Sequence, residues 1–126
     1  MTRSSRRGAP DFLPLHPLEF HILVALSGGR RHGYAIVKEI ESLSQGTDRL
    51  FPANLYRRIR RLKDDGLLRP SGEDVSEGGP PRRYFELTEL GREVAALETD
   101  RLRSLVELAD RAGVSALPLR EIGGES

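Results

Sequence analysis

Within the stretch Phe51-Pro-Ala-Asn-Leu-Tyr-Arg-Arg-Ile-Arg-Arg-Leu-Lys-Asp-Asp-Gly66 the apolar positions Leu55, Ile59 and Leu62 recur at i, i+4 and i+7, one stripe at the helical period. Pro52 suits a first helical turn and Gly66 suits a helix end, so the spacing predicts a helix between them. At ~100° per residue, Tyr56, Arg57, Arg60, Arg61 and Lys63 all lie off the stripe. The predicted helix therefore has an apolar back and a cationic front. Leu15 to Ser27 reads as an earlier helix with Pro17 near its start. Its Leu18, Phe20, Ile22, Leu23, Val24, Ala25 and Leu26 cover nearly the whole circumference, a pattern that asks for burial on every side. In so short a chain, one side can face the core while another needs a partner.

Gly28 to Gly33 reads as a turn, and Tyr34 to Ser44 as a second helix with Ile36, Val37, Ile40 and Leu43 inward. Two short helices joined tightly, the second of them cationic, fit a helix-turn-helix. Leu67 to Pro70 reads as a strand, Ser71 to Pro81 as a Gly/Pro loop, and Arg82 to Leu87 as the returning strand. Phe85 and Leu87 share one face of that strand, and Tyr84 and Glu86 the other. The hairpin is a wing, carrying Arg82 and Arg83 within reach of a phosphate backbone. Thr88 is an N-cap for a last helix, Glu89 complements its dipole, and Gly91 costs it some helix propensity. Leu90, Val94 and Leu97 continue after a phase shift as Leu102, Leu105, Ala109 and Ala112, giving about 25 residues, or ~37 Å. So long an apolar stripe exceeds what a small winged domain needs for itself, and pairing with a second copy is the economical reading. The expected fold class is mainly α with a small β-hairpin, a winged helix-turn-helix plus a long C-terminal helix. Its divisions are a disordered basic arm (1–14), the DNA-binding domain (15–87), the dimerisation helix (88–113) and a tail (114–126).

Composition adjusts this picture. The chain has 126 residues, about one domain's worth, and 37% hydrophobic with 31% charged residues suits a soluble protein. Without a cysteine it can form no disulfide, thiol nucleophile or cysteine-ligated metal centre. No apolar run reaches membrane-spanning length, and the basic N-terminus lacks a signal-peptide core, so the cytoplasm is the expected compartment. The net charge of +1 conceals an asymmetry: 15 Lys/Arg against 10 Asp/Glu through Arg83, then 5 against 9 from Tyr84. A basic front and an acidic last third point to separate tasks, only the first facing a polyanion. His16, His21 and His32 have no second ligand at metal spacing, and no phosphate-binding loop or catalytic triad stands out. No enzyme activity, metal or cofactor is expected.

The order of elements and four segments carry a resemblance. Pro17-Leu-Glu-Phe-His-Ile-Leu-Val-Ala-Leu26, His32-Gly-Tyr-Ala-Ile36, Asn54-Leu-Tyr-Arg57 running on to Leu62 and Gly66-Leu67, and Gly78-Gly-Pro-Pro-Arg-Arg-Tyr-Phe-Glu-Leu-Thr88 with Gly91-Arg92 resemble the PadR family of bacterial transcriptional regulators. The match is to its small members with one C-terminal helix, and spans roughly residues 15–112. The family often has Thr where His16 stands, which predicts a weakened cap on the first helix. It usually reads Gly-Thr or Gly-Ser where this chain has Ala53-Asn54, a change that bears on which operator is read, since Asn can pair with adenine.

The resemblance implies a homodimeric, sequence-specific regulator of double-stranded DNA, a repressor, acting on a palindromic operator. Many relatives answer to small aromatic or cationic effectors; this chain's lack of Trp leaves the effector unidentified. The expected DNA-binding set is Tyr34, Asn54, Tyr56, Arg57, Arg60, Arg61, Lys63, Arg82 and Arg83, with Asn54 and Arg57 the base readers and Arg60, Arg61 and Lys63 nearer phosphate. Tyr34 has packing against the third helix as its alternative role. The expected dimerisation set is Leu18, Ile22, Leu90, Val94, Leu97, Leu102, Leu105 and Ala109. The competing reading is a winged-helix module that holds another protein and binds no DNA.

Overall fold

A computed structural model describes residues 8–43, 52–74 and 81–114, with the side chains of Leu43, Pro52 and Ala53 outside the description. The expectations for residues 1–7, for the link before Pro52, for the wing tip with Gly78 and Gly79, and for the tail beyond Val114 lie outside these residues.

Among the described residues, four α-helices accompany a three-stranded antiparallel sheet: α1 (Pro17–Leu26), β1 (Arg31–His32), α2 (Gly33–Leu43), α3 (Pro52–Asp64), β2 (Leu68–Asp74), β3 (Arg82–Leu87) and α4 (Glu89–Ala112). The apolar stripe of α3 goes where its spacing directs. Leu55, Ile59 and Leu62 are buried against Ile22, Leu23 and Leu26 of α1 and Ile36 and Ile40 of α2. Leu67, Leu68, Leu87 and Val94 complete the same core. With about fifteen apolar side chains removed from water at ~1.5–3 kcal/mol for each large one, this cluster is what holds the helices together.

Ile22 and Val94 are both 0% exposed within the chain's own core, which removes them from the expected dimerisation set. An all-round apolar helix such as α1 cannot reveal from its sequence which side its own domain covers. Leu18, Leu90 and Leu97 are partly buried and also pack on this core.

Four further expectations change. First, residues 8–14 are not a disordered arm: Ala9–Phe12 form a 3₁₀ turn, Ala9 and Leu15 are buried, and Phe12 and Leu13 pack on the core. A buried carboxylate fastens this segment to α4. Glu98, 1% exposed, accepts from Leu15 N–H at 3.3 Å and from Arg101 Nε and Nη2 at 2.7 and 2.8 Å. The Arg101 hydrogen bonds, and then that of Leu15 N–H, hold its carboxyl below the usual carboxylate range against the opposing effect of burial. Second, His16 does not weaken the start of α1. Its Nδ1 accepts from Leu18 N–H at 3.0 Å while Glu19 Oε1 accepts from His16 N–H at 3.3 Å, a reciprocal cap with imidazole in the hydroxyl's place. Third, the expected turn at 28–33 contains β1, which pairs with β3 through Arg31↔Phe85 and His32↔Tyr84. The wing is also longer than expected, because β2 continues past an irregularity between Pro70 and Glu73 to pair Glu73↔Arg83 and Asp74↔Arg82.

The passage from α3 to α4 is tightly made. Gly66, at φ +86, turns the chain, and Leu67 N–H donates to Leu62 O at 2.9 Å. Thr88 then binds the carbonyls that follow α3: its N–H donates to Leu67 O at 3.1 Å and its Oγ1–H to Gly66 O at 2.7 Å. The same Oγ1 accepts from Gly91 N–H at 2.9 Å, capping α4. A Cβ on Gly91 would stand 2.1 Å from Leu67 O, so this close seam admits no side chain there.

Candidate nucleic-acid interface

The exposed face of α3 resolves into two rows. Tyr56, Arg60 and Lys63 turn toward the wing and line a groove of about 780 Å³ with His32, Tyr34, Arg82, Arg83 and Phe85. Asn54, Arg57 and Arg61 do not line this groove, although all three are exposed. Spaced i, i+3 and i+7, they form the adjacent row on the outward side. The Arg57 guanidinium donates to Asn54 Oδ1, joining the two expected base readers into one polar unit at the start of the helix. Arg58, between the two rows in sequence, points inward and pairs with Glu19 of α1 at 3.1 Å. Helical rotation thus sorts four arginines in a five-residue stretch into structural and surface members.

The groove is electropositive. It is lined by Arg60, Lys63, Arg82 and Arg83, with Glu73 as its acidic residue. Arg83 approaches Glu73 at 3.7 Å with both side chains well exposed, and Lys63 meets Asp64 at 3.9 Å, also at the surface. Such pairs are weak and salt-screened, and leave the cations able to meet another anion. Tyr34 and Tyr56 stand out as exposed aromatics, at 60% and 45%. Tyr56 has a structural reason for its position. Its ring covers Gly33, where an added Cβ would fall 2.3 Å from Tyr56 Cε1, so the small residue of His32-Gly33-Tyr34 lets α3 lie close to the start of α2.

Two residues outside the expected set help build the site. Arg30 lies over the Tyr84 ring, 4.1 Å from its centroid, and donates to Ser71 O at 2.7 Å, fixing the base of the wing. His32 caps α2 by accepting from Ala35 N–H at Nδ1, 3.1 Å, and meets the Tyr84 ring edge-on at 5.2 Å. Its place in the His-Gly-Tyr motif was visible in the sequence, but the strand that brings it beside β3 was not. Among the described residues no cluster of three or more His, Asp or Glu is arranged to hold a metal ion, and no helix is long and apolar enough to cross a membrane.

Of the expected dimerisation residues, Leu105 is exposed at 48%, and Leu102 and Ala109 are half-buried. Val106 and Leu108, which lie outside the expected set, are exposed at 57% and 55% on the same distal half of α4.

Comparison with known proteins gives this geometry its context. The model of the transcriptional regulator PadR-like family matches residues 22–97. The chain is 38% identical over 92 residues to Transcriptional regulator Rv3488 of Mycobacterium tuberculosis, covering 73% of this chain and 78% of that protein. It is also 38% identical over 97 residues to an uncharacterized 37.1 kDa protein in transposon TN4556 of Streptomyces fradiae, a match covering 77% of this chain and 25% of that protein. The chain thus spans about a quarter of the transposon protein's length. Among solved structures, Bacillus subtilis PadR in complex with operator DNA superposes with a TM-score of 0.58 at 20% identity, covering 69% of this chain and 47% of that one. With the family model spanning the wing, α3 and the first part of α4, the chain belongs to the PadR-like family of transcriptional regulators.

Proposed function

We propose that this chain is a sequence-specific, double-stranded DNA-binding repressor that acts as a homodimer on a palindromic operator. The observation that carries the reading is the division of α3: a buried apolar stripe, an outward row of Asn54, Arg57 and Arg61, and a second row facing a cationic groove under the wing. An α-helix fits the major groove, where Asn and Arg offer paired hydrogen bonds to adenine and guanine, while the wing-side cations suit the flanking phosphates. The operator complex of the structurally similar Bacillus subtilis protein supports the same assignment. Pairing through the distal half of α4 would cover Leu105, Val106 and Leu108, and would set two copies of α3 about one DNA turn apart, ~34 Å.

Gel-shift against a duplex taken from the region upstream of the chain's own coding sequence tests the reading. The wild type is expected to shift it at low salt, and the double variant Arg57→Ala/Arg61→Ala to lose the shift. Absence of a wild-type shift at low salt overturns the proposal.

A further inference from the structure

His32 and Arg82 meet in a way their chemistry does not satisfy. His32 Nδ1 accepts the Ala35 N–H, so the neutral imidazole must carry its proton on Nε2. Arg82 Nη1 lies 3.4 Å from that same Nε2. A guanidinium nitrogen only donates, and Nε2–H in this tautomer only donates, so the contact is between two donors and is not a hydrogen bond. Two N–H groups side by side, each without an acceptor in the other, serve one oxyanion placed between them. The neutral form is the one that persists. Burial first, and then the Arg82 charge, hold the His32 pKa below its ordinary value against a smaller pull from Asp74. Protonation at Nδ1 would also forfeit the α2 cap. Both residues line the cationic groove between α3 and the wing, near Arg60, Lys63 and Arg83.

We infer that His32 Nε2–H and the Arg82 guanidinium form a clamp for one phosphate oxygen, which the DNA backbone supplies as it passes between α3 and the wing. The inference rests on the DNA-binding reading above and adds to it a neutral donor, fixed by its own capping bond, at a position the charge pattern does not mark. The clamp reads no base. It joins the wing strand to the start of α2 through a shared phosphate, and so rewards only duplex that lies in the groove with both elements in place.

The test uses the full chain and two fluorescent duplexes, one of random sequence and one from the upstream region, because a phosphate contact is sequence-independent. His32→Asp keeps an acceptor for Ala35 N–H, since Asp is a favoured N-cap, but removes the Nε2–H donor and brings a negative charge near the phosphate. It is expected to melt close to the wild type and to bind both duplexes roughly 10- to 100-fold more weakly, the scale of one or two lost hydrogen bonds to a charged group. Arg82→Ala, a change at an exposed strand end, is expected to weaken both duplexes and to reduce the slope of log affinity against log salt by about 0.9; His32→Ala is expected to weaken binding with the slope unchanged, because the imidazole is neutral. Inorganic phosphate supplies the second arm. The His32 ring resonances are expected to shift on adding duplex, and to shift with phosphate alone only at far higher concentration. Wild-type binding that His32→Asp and Arg82→Ala both leave intact overturns the clamp and spares the DNA-binding reading. So does a His32 response to inorganic phosphate without one to duplex. Failure of the wild type to bind either duplex removes both.

Discussion

Replacing Gly91 by Ala should destabilise this protein, against the ordinary rule for helices. An Ala in a helix interior is favoured over Gly by ~1 kcal/mol, so propensity alone predicts a gain at this third residue of α4. The structure reverses the sign. The new Cβ would lie 2.1 Å from Leu67 O and 3.1 Å from Leu67 C, both backbone atoms, and 3.3 Å from Leu87 Cδ2. Relief requires more than an ångström of separation between α4 and the chain leaving α3. Separation on that scale breaks the Thr88 N–H bond to Leu67 O and the Thr88 Oγ1–H bond to Gly66 O. Two hydrogen bonds at ~1 kcal/mol each and an overpacking strain of ~1–3 kcal/mol outweigh the propensity gain, leaving a net loss of about 2–4 kcal/mol. At roughly 3–5 °C per kcal/mol for a chain of this size, the midpoint should fall by about 6–20 °C. Thermal melts followed by far-ultraviolet circular dichroism read this directly. Ala96→Gly, at an exposed position of the same helix, provides the comparison and should cost only the ~1 kcal/mol of propensity. A Gly91→Ala protein that melts at or above the wild-type temperature refutes the argument.

Other consequences are open to measurement. Glu98→Ala strips Leu15 N–H of its acceptor and should cost about 2 kcal/mol at pH 7, read as a lowered denaturant midpoint. Because the Glu98 carboxyl is held below its unfolded value, its contribution is complete above the ordinary carboxylate range and is lost as pH falls through the folded pKa. Glu98→Gln should therefore flatten the acid limb of the stability profile, and an unchanged limb would discount the pair. Gly33→Ala should push the Tyr56 ring out of place and weaken duplex binding about fivefold, one ordinary hydrogen bond's worth, with little change in melting. Unaltered affinity would show that the ring's position is immaterial. Leu105→Asp/Leu108→Asp should bring the light-scattering mass from about twice 14.0 kDa down to 14.0 kDa, and a wild type already at 14.0 kDa would exclude the pairing.

Much of this architecture is legible in the residues because each signal is local and repeated. The α3 stripe, the Gly66 stop, the Thr88 cap and the end of α4 at Ala112 all coincide with the structure. Short-range periodicity could not register the two-residue strand at Arg31–His32, whose existence depends on β3 some fifty residues later. Nor could it separate Arg58 from Arg57: that needs the position of Glu19 on another helix. Glu98 is one acid among several in an acidic third, and nothing nearby in sequence marks it as the one that receives Leu15 N–H. Gly91 is the instructive case. Judged by helix propensity it is a blemish, and judged by the Leu67 carbonyl above it, it is the residue that lets α4 lie against the chain leaving α3.

The Thr88 seam makes the end of α3 and the start of α4 travel together, so in the proposed dimer α4 is the arm of a caliper. Twenty-four residues at 1.5 Å per residue give an arm of about 36 Å. If two such arms cross at Leu105 and Leu108, the lever back to Glu89 is ~24–28 Å, and a tilt of ~8° there carries the α3 end through about 3.4–4 Å, comparable to the ~3.4 Å between successive bases on a strand. In such a dimer, whatever alters the crossing of the distal apolar faces would change the spacing of the two copies of α3. The measuring edge, α3, and the hinge, the distal half of α4, would be separate parts joined by the Thr88 seam.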